Sequence, residues 1–448
     1  MPKWRGLAWT LLLLLPPLCY LAWWEAELNR RASTRNSYRH SIDHQLPHAF
    51  TRKKPTPLAS PTCKPVPTNA VGVPEFSQFL LKHGGQEPKG ERVRYAHMAT
   101  IGLLPNKTLL AAWQASMWYE GAQDQTIYTT TSLDGERGQA WSLPMELPGR
   151  PSDSARWSPV IFSDGATGLT WLFYTQSAHR QCLRPAEGKH PELWPPGGSI
   201  HAVTVSVERP HWSPPRTLLA QEDEDFVPKV IANQPIRASS GAILLPFWRE
   251  ARTAPATCPT SVDTESAGVL VSLDGGSTWQ ARGRIRTKGT HLIEGTIAEL
   301  ETGCVVLMFR TSKGWAYRSE SCDAGTTWAD PSPTTIRNPD TKMNLLGWHA
   351  PGHTLLLAYN NHKGYNDAGC RKCRTHLTLS MSQDGGLNWK NLAIAEKAKV
   401  NFKKSHYPSL FQVGCDRVLL VFSRGYSCCA PVEAELGIQL MSYKLVST

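Results

Sequence analysis

From about Val73 to the C-terminus the chain alternates short apolar runs with Gly, Pro, Asp and Asn turns, and every run has the length of a strand. The runs cover 108–115, 126–132, 169–176, 200–207, 241–247, 268–272, 304–310, 354–359, 376–382 and 417–423. None holds a 3.6-residue period for long, so the pattern predicts an all-β protein. The N-terminus reads differently. Lys3 and Arg5 precede an uncharged stretch from Gly6 to Trp24, bounded by Glu25 and the Arg30/Arg31 pair. Its length is close to the roughly 20 residues that span a bilayer, and Trp23/Trp24 suit an interface. Residues 1–31 are therefore expected to form a single membrane-targeting helix, a signal anchor. Tyr20 and Trp24 at the −3 positions of the candidate cleavage sites speak against removal, and Pro16/Pro17 keeps a cleaved signal peptide as the alternative. Residues 32–72, rich in Ser, Thr, Pro and basic residues, lack the apolar content to pack a core and predict a flexible stem.

An eight-residue repeat organises the remainder, residues 73–448. Ser272 to Trp279, Ser321 to Trp328 and Ser382 to Trp389 share the form Ser-x-Asp-x-Gly-x-x-Trp, and a looser copy starts at Ser132 and reaches Trp141. The residues suit a hairpin tip, because Ser and Asp oxygens accept from turn amides, Gly allows positive φ, and Trp packs back onto the sheet. Good copies begin 49 and 61 residues apart, the span of a four-stranded blade. At about 63 residues per blade the segment accommodates six blades of a β-propeller, with Gly437 to Val446 available as a closing strand.

Charge changes the picture little. The net charge is +11, but residues 1–72 carry ten Lys/Arg against three acids, leaving too weak an excess elsewhere for a nucleic-acid footprint, so no nucleic-acid partner is expected. Cys19 lies in the apolar segment, and the ten other cysteines are an even set that fits disulfides in an oxidising lumen, with pairing left open. The Cys370/Cys373 pair has no second half of a zinc set and reads as a disulfide-pinned loop, and Cys428/Cys429 as structural. No metal or other cofactor is expected. Asn106-Lys107-Thr108 is a glycosylation sequon.

The octapeptides are Asp-boxes, also called BNR repeats, and the chain resembles the sialidase (neuraminidase) superfamily of six-bladed propellers. The resemblance extends to candidate site residues. Glu294, preceding an apolar strand, is similar to the family's general base, and Arg310, closing the next strand, to a carboxylate-binding arginine. Arg374, ahead of the Asp-box at Ser382, matches a second such arginine, with Arg371 as a fallback. Tyr407-Pro408-Ser409-Leu410 resembles the segment that carries the nucleophile. The order Glu, Arg, Arg, Tyr and the spacings 16, 64 and 33 fit.

This assignment makes chemical sense on its own terms. A carboxylate nucleophile would be repelled by a sugar with a carboxylate at its anomeric carbon, whereas a phenol is neutral, and tyrosine is the exception to two-carboxylate glycoside hydrolysis. A phenol needs a base beside it. Guanidinium forks suit the substrate carboxylate. Two positions depart from the family or stay open. His97 stands where the family's first blade begins Arg-Ile-Pro; it offers a charge only near or below pH 6.5 and cannot form a bidentate fork, and Arg94 is expected on the opposite strand face. The general acid is expected in the loop Trp118 to Asp124, Asp124 being favoured by residue type and Glu120 by spacing.

The resemblance implies a retaining exo-glycosidase of the sialidase kind acting on sialic-acid-like or other acidic glycans, and the N-terminal segment, the sequon and the cysteines predict that it is membrane-anchored on the luminal side of the secretory pathway or secreted. Two rivals stand: a hydrolase or lyase for another acidic polysaccharide, which the loss of the first arginine favours, and a non-catalytic glycan-binding or receptor propeller. Convergence of Glu294, Arg310, Arg374 and Tyr407 on one channel mouth discriminates against the last.

Overall fold

The structure, a computed structural model, describes residues 63, 65–83, 93–184, 192–251, 255–259, 265–348, 354–362, 374–396, 403–426 and 436–448. The expected N-terminal helix, most of the stem, Arg371 and Cys370, Cys373, Cys428 and Cys429 lie outside them. No helix of the described residues is long and apolar enough to cross a membrane.

The described residues form six antiparallel sheets, each a radial blade. Strand β1 (Ala70–Lys82) opens the chain. Blade one is β2 (Tyr95–Leu103), β3 (Leu109–Ser116), β4 (Thr126–Thr131) and β5 (Met145–Glu146). Blade two is β6 (Ala155–Asp164), β7 (Leu169–Ser177), β8 (Ser199–Val205) and β9 (Arg216–Leu219). Blade three is β10 (Lys229–Ile231), β12 (Ile243–Arg249), β13 (Ser266–Ser272) and β14 (Gln280–Ile285), with short β11 (Ile236–Arg237) also paired to β12. Blade four runs through β15 (Ile293–Glu299), β16 (Val305–Arg310), β17 (Gly314–Ser321) and β18 (Ser332–Asn338). Blade five is β19 (Asn344–Gly347), β20 (Leu355–Asn360), β21 (Leu377–Ser382) and β22 (Lys390–Glu396). Blade six is β23 (Lys403–Val413), β24 (Arg417–Tyr426), β25 (Gly437–Ser447) and, outermost, β1.

The ring closes differently from the sequence expectation. Gly437–Ser447 is the third strand of blade six, and N-terminal β1 supplies the fourth, in register from Ala70 opposite Ser447 to Lys82 opposite Gly437. This pairing makes β25 an interior strand with a neighbour on each side and leaves β1 as the outer edge of the blade. The Cys63–Cys415 disulfide fastens the same join, so the blade takes in residues whose composition resembles the stem. Two more bridges join Cys182 to Cys258, between blades two and three, and Cys304 to Cys322, within blade four.

Apolar side chains fill the wedges between neighbouring blades. One cluster, for example, joins Leu244 and Val269 of blade three to Ile297 and Leu307 of blade four, and another joins Leu356 and Leu379 of blade five to Leu410 and Leu420 of blade six. Each blade is therefore covered on both faces, which is why its middle strands read as unbroken apolar runs. In each meander the turns from first to second and third to fourth strand fall on one rim, and the remaining connections on the other.

The Asp-boxes join third to fourth strands and share the first of these rims. In blade three, Ser272 Oγ donates to Asp274 Oδ1 at 2.8 Å and accepts from Gly276 N–H at 2.7 Å, Thr278 N–H donates to the same carboxylate at 2.8 Å, and Trp279 Nε1–H donates to Gly276 O at 3.0 Å. Trp279 packs edge-on against Trp171 and Phe173 of blade two, so the tip anchors a neighbouring blade as well as its own hairpin. Gly276, at φ +96°, lies against the Trp171 ring and leaves no room for a Cβ.

Candidate active site

The opposite rim holds the candidate residues, and the innermost strands place two of them there by one repeated device. In β2, β6, β15 and β23 the register slips so that two residues face one on the partner: Met98-Ala99 against Trp113, Ser158-Pro159 against Tyr174, Glu294-Gly295 against Phe309, and Tyr407-Pro408 against Phe422. The first residue of each pair has positive φ, at 58°, 50°, 51° and 58° in that order. A non-glycine residue in that region costs about 1–3 kcal/mol and persists only where its surroundings fix it. Bulges of this kind re-aim a side chain. At two of the four equivalent positions the re-aimed side chains are Glu294 and Tyr407.

These two residues meet. Tyr407 Oη donates to Glu294 Oε1 at 2.7 Å, and Arg310, at the end of β16, donates through Nη1 to both, at 2.7 Å to the phenol oxygen and 2.8 Å to the carboxylate. Glu294 and Tyr407 are both buried, and Glu294 Oε2 has no hydrogen-bond partner among the described residues, leaving it able to receive a proton. Burial holds the Tyr407 phenol well above its ordinary pKa; Arg310 and Arg374 pull it down and Glu294 pushes it up. The phenol is thus neutral at physiological pH and can act only by handing its proton to a base at the moment of attack. Burial opposes the charge on Arg310, but Glu294, Tyr407 and Asp340 together keep it firmly protonated.

Arg374, three residues ahead of β21, lies with its guanidinium 5.2 Å from the centre of the Tyr407 ring, donates to Asp340 O at 3.0 Å and reaches 3.5 Å from His406 Nδ1. The His97 ring packs 4.1 Å from that of Tyr407 and 4.9 Å from that of His406, with Nδ1 2.9 Å from Ser423 Oγ. His97 therefore borders the cluster, as its place in the first blade predicts. Arg94 does not replace it, since its guanidinium stacks 5.1 Å from the Trp118 ring.

The two candidate acids separate. Asp124 accepts from Met117 N–H at 2.7 Å and closes its own loop, so the preference for it on residue type is corrected. Glu120 instead faces the cluster. It is solvent-exposed, and its carboxylate accepts from Gln114 Nε2 at 3.4 Å and bonds Tyr95. Desolvation raises its pKa, reinforced by the charge of Glu294 and partly offset by Tyr95 and Arg374. A carboxyl with a raised pKa is suited to donate a proton, the acid's part in such sites.

Several residues of the cluster are not evident from the sequence. Asp340 accepts from Arg310 Nε at 2.8 Å and, through its carbonyl, from Arg374. Asn233 donates to the bulge carbonyls of Glu294 and Gly295 at 3.0 and 3.1 Å, and Asn344 links Asn233 to the Leu410 amide. Their only sequence signal is indirect: a proline inside an otherwise strand-like run, as at Pro159 and Pro408, marks a bulge.

An Asp-box propeller with a phenol, a carboxylate and two guanidiniums gathered on one mouth defines a propeller of the sialidase type. The BNR repeat-like domain family matches residues 107–418, most of the chain, and the chain belongs to that family. A sialidase of Bacteroides fragilis (strain YCH46) is 28% identical over 135 residues, which cover 29% of this chain and 23% of that protein, so the chain aligns with under a quarter of its relative. Among solved structures, a protein of unknown function from Dyadobacter fermentans superposes with a TM-score of 0.61 at 13% identity, over 85% of this chain and 100% of that one. Trypanosoma rangeli sialidase superposes with a TM-score of 0.57 at 15% identity, over 84% and 60%. At those identities the superpositions speak to fold alone.

Proposed function

We propose that the protein is an exo-acting glycoside hydrolase that releases terminal acidic sugars with retention of configuration. The observation that carries this reading is the triangle of Tyr407 Oη, Glu294 Oε1 and Arg310 Nη1, every side 2.8 Å or shorter, on the rim away from the Asp-boxes. In the first step Tyr407 Oη bonds to the anomeric carbon while Glu294 takes its proton, and Glu120 protonates the departing glycosidic oxygen. In the second, Glu120 removes a proton from water, which attacks the anomeric carbon; Tyr407 leaves and recovers its proton from Glu294. Arg310 and Arg374 bind the substrate carboxylate, and Arg310 also stabilises the developing phenolate. The buried phenol supports this order of events because it brings no negative charge to an anionic sugar.

Covalent trapping tests the proposal. Trypanosoma rangeli sialidase has been captured as a covalent intermediate with 2,3-difluorosialic acid. The same reagent should label this protein on the peptide containing Tyr407, and labelling elsewhere, with none on Tyr407, overturns the assignment. His97 in place of an arginine favours a second reading, an acidic sugar other than an ordinary sialic acid. Under it, difluorosialic acid labels slowly and a panel of other acidic glycosides turns over faster.

Three disulfides support a secretory setting, as does the exposure of Asn106 in the β2–β3 turn, on the rim opposite the site. Whether residues 1–31 anchor the protein is decided by carbonate extraction of membranes from expressing cells.

A further inference from the structure

We propose that Lys342 is a positioning residue for the nucleophile, its buried side-chain nitrogen holding the bulged backbone at Pro408 and so aiming the Tyr407 hydroxyl at Glu294. The inference rests on the reading of Tyr407 as nucleophile.

The bulge at Tyr407-Pro408 takes two residues out of the ladder between β23 and β24. Pro408 has no N–H to satisfy, but its displaced carbonyl needs a donor inside the protein. Lys342 Nζ supplies it, from a side chain only 1% exposed. Burial lowers the Lys342 pKa to about 7, offset in part by Glu294, so a polar nitrogen is kept away from water at this position. A lysine spent on one carbonyl is costly unless that carbonyl's position matters, and Pro408 is bonded directly to Tyr407.

Neighbours of Lys342 point the same way. Two residues before it, Asp340 grips Arg310 through its carboxylate and Arg374 through its carbonyl. Two residues after it, Asn344 Oδ1 accepts from Leu410 N–H at 2.7 Å, on the far side of the bulge, while its Nδ2 donates to Asn233 Oδ1 at 2.9 Å. Asn233 in turn holds the carbonyls of the Glu294 bulge. The segment from Asp340 to Asn344 thus ties together both strained bulges and both guanidiniums, and Lys342 is the member that fixes the bulge of the nucleophile.

Crystal structures and kinetics of Lys342→Met and Lys342→Arg test this. Methionine keeps the length and removes the donor, whereas arginine restores one. In Lys342→Met the 2.7 Å contact between Tyr407 and Glu294 should lengthen or split into two positions. With a fluorogenic sialoside, kcat should fall 10- to 100-fold with KM within about twofold, and Lys342→Arg should recover part of the loss. If Lys342→Met does not fold, Lys342→Gln, a neutral donor, carries the same comparison with an intermediate loss expected. An unchanged contact with unchanged kcat overturns the proposal, as does a loss that merely follows the amount of folded protein. The structural arm needs no turnover. Full activity of Tyr407→Phe would therefore refute the nucleophile reading, while the Tyr407–Glu294 distance in Lys342→Met separately decides whether Lys342 positions that side chain.

Discussion

At the Asp-box rim, the bonds that shape a tip join residues a few positions apart: Asp323 to Thr327, Asp384 to Asn388, and Asp134 to Gln139 in the looser copy. At the rim that carries Tyr407, the bonds that shape the site join Arg310 to Glu294 across 16 residues, Arg374 to Asp340 across 34, and Tyr407 to Glu294 across 113. Local bonds form wherever the octapeptide is present, so the tips repeat. Long-range bonds exist only after the ring has closed, so the site occurs once, on a scaffold whose bulges recur in four blades. The difference teaches that the repeat supplies stability and geometry, while the residue at each bulge decides what chemistry that geometry serves.

Substitutions on the two rims should accordingly separate catalysis from folding. The largest effect is expected for Tyr407→Phe, a loss of at least about 10³-fold in kcat on a fluorogenic sialoside, with an unchanged melting temperature. Undiminished turnover would make the site rim as dispensable for chemistry as the tips. Glu294→Gln should cost about 10²- to 10⁴-fold by removing the base, measured in the same assay with circular dichroism as the folding control.

The pH profile sharpens the division within the site. Glu120 has a raised pKa, so it is proton-loaded below that value, and kcat/KM should fall as pH rises through it. Glu120→Gln should flatten that limb and slow alkyl glycosides more than aryl ones, whose better leaving groups need less acid help. If that same limb moves instead when His97 is replaced by Asn, the titration belongs to substrate binding.

The other rim should answer in stability alone. Trp279→Ala removes ring contacts with Trp171 and Phe173 and should cost about 2–4 kcal/mol in urea unfolding, leaving kcat of the folded protein intact. The smallest effect concerns acid. Asp323 has its pKa lowered to about 2, chiefly by the Thr327 hydroxyl and amide, so its contribution to stability is present above the unfolded value near 4 and lost as pH falls toward 2. In Asp323→Asn the decline in stability between pH 4 and pH 2 should be shallower than in the parent protein.

What was legible before folding follows the same line. The ten apolar runs that predict strands all correspond to second or third strands of blades, such as β3, β12 and β20, whose residues are buried throughout. Middle strands have a blade on each face and a strand on each side, so an unbroken apolar pattern is what their position demands. The innermost strands escape that pattern because each functional one carries a bulge and a polar residue in its middle, which breaks the period of two. Glu294, Arg310, Arg374 and Tyr407 were legible through their order and spacing relative to the Asp-boxes. Asp340, Lys342 and Asn344 were not, and the Asn233-Gln234-Pro235 turn, able to line the pocket, read only as an ordinary turn, because an aspartate, a lysine or an asparagine beside a turn has the same sequence appearance whether it faces water or pins a strained backbone.

By itself, the sequence determined the class of fold, favoured six blades over seven, and named four candidate side chains, because those rest on local hydrogen bonding, on burial and on a family pattern carried by contiguous segments. Tertiary structure decided that β1 rather than β25 is the outermost strand, that Glu120 rather than Asp124 faces the cluster, and that the segment from Asp340 to Asn344 holds the bulges in place. Each of those outcomes depends on which distant backbone groups lose their ladder partners when the ring closes, and that is a property of the assembled blades.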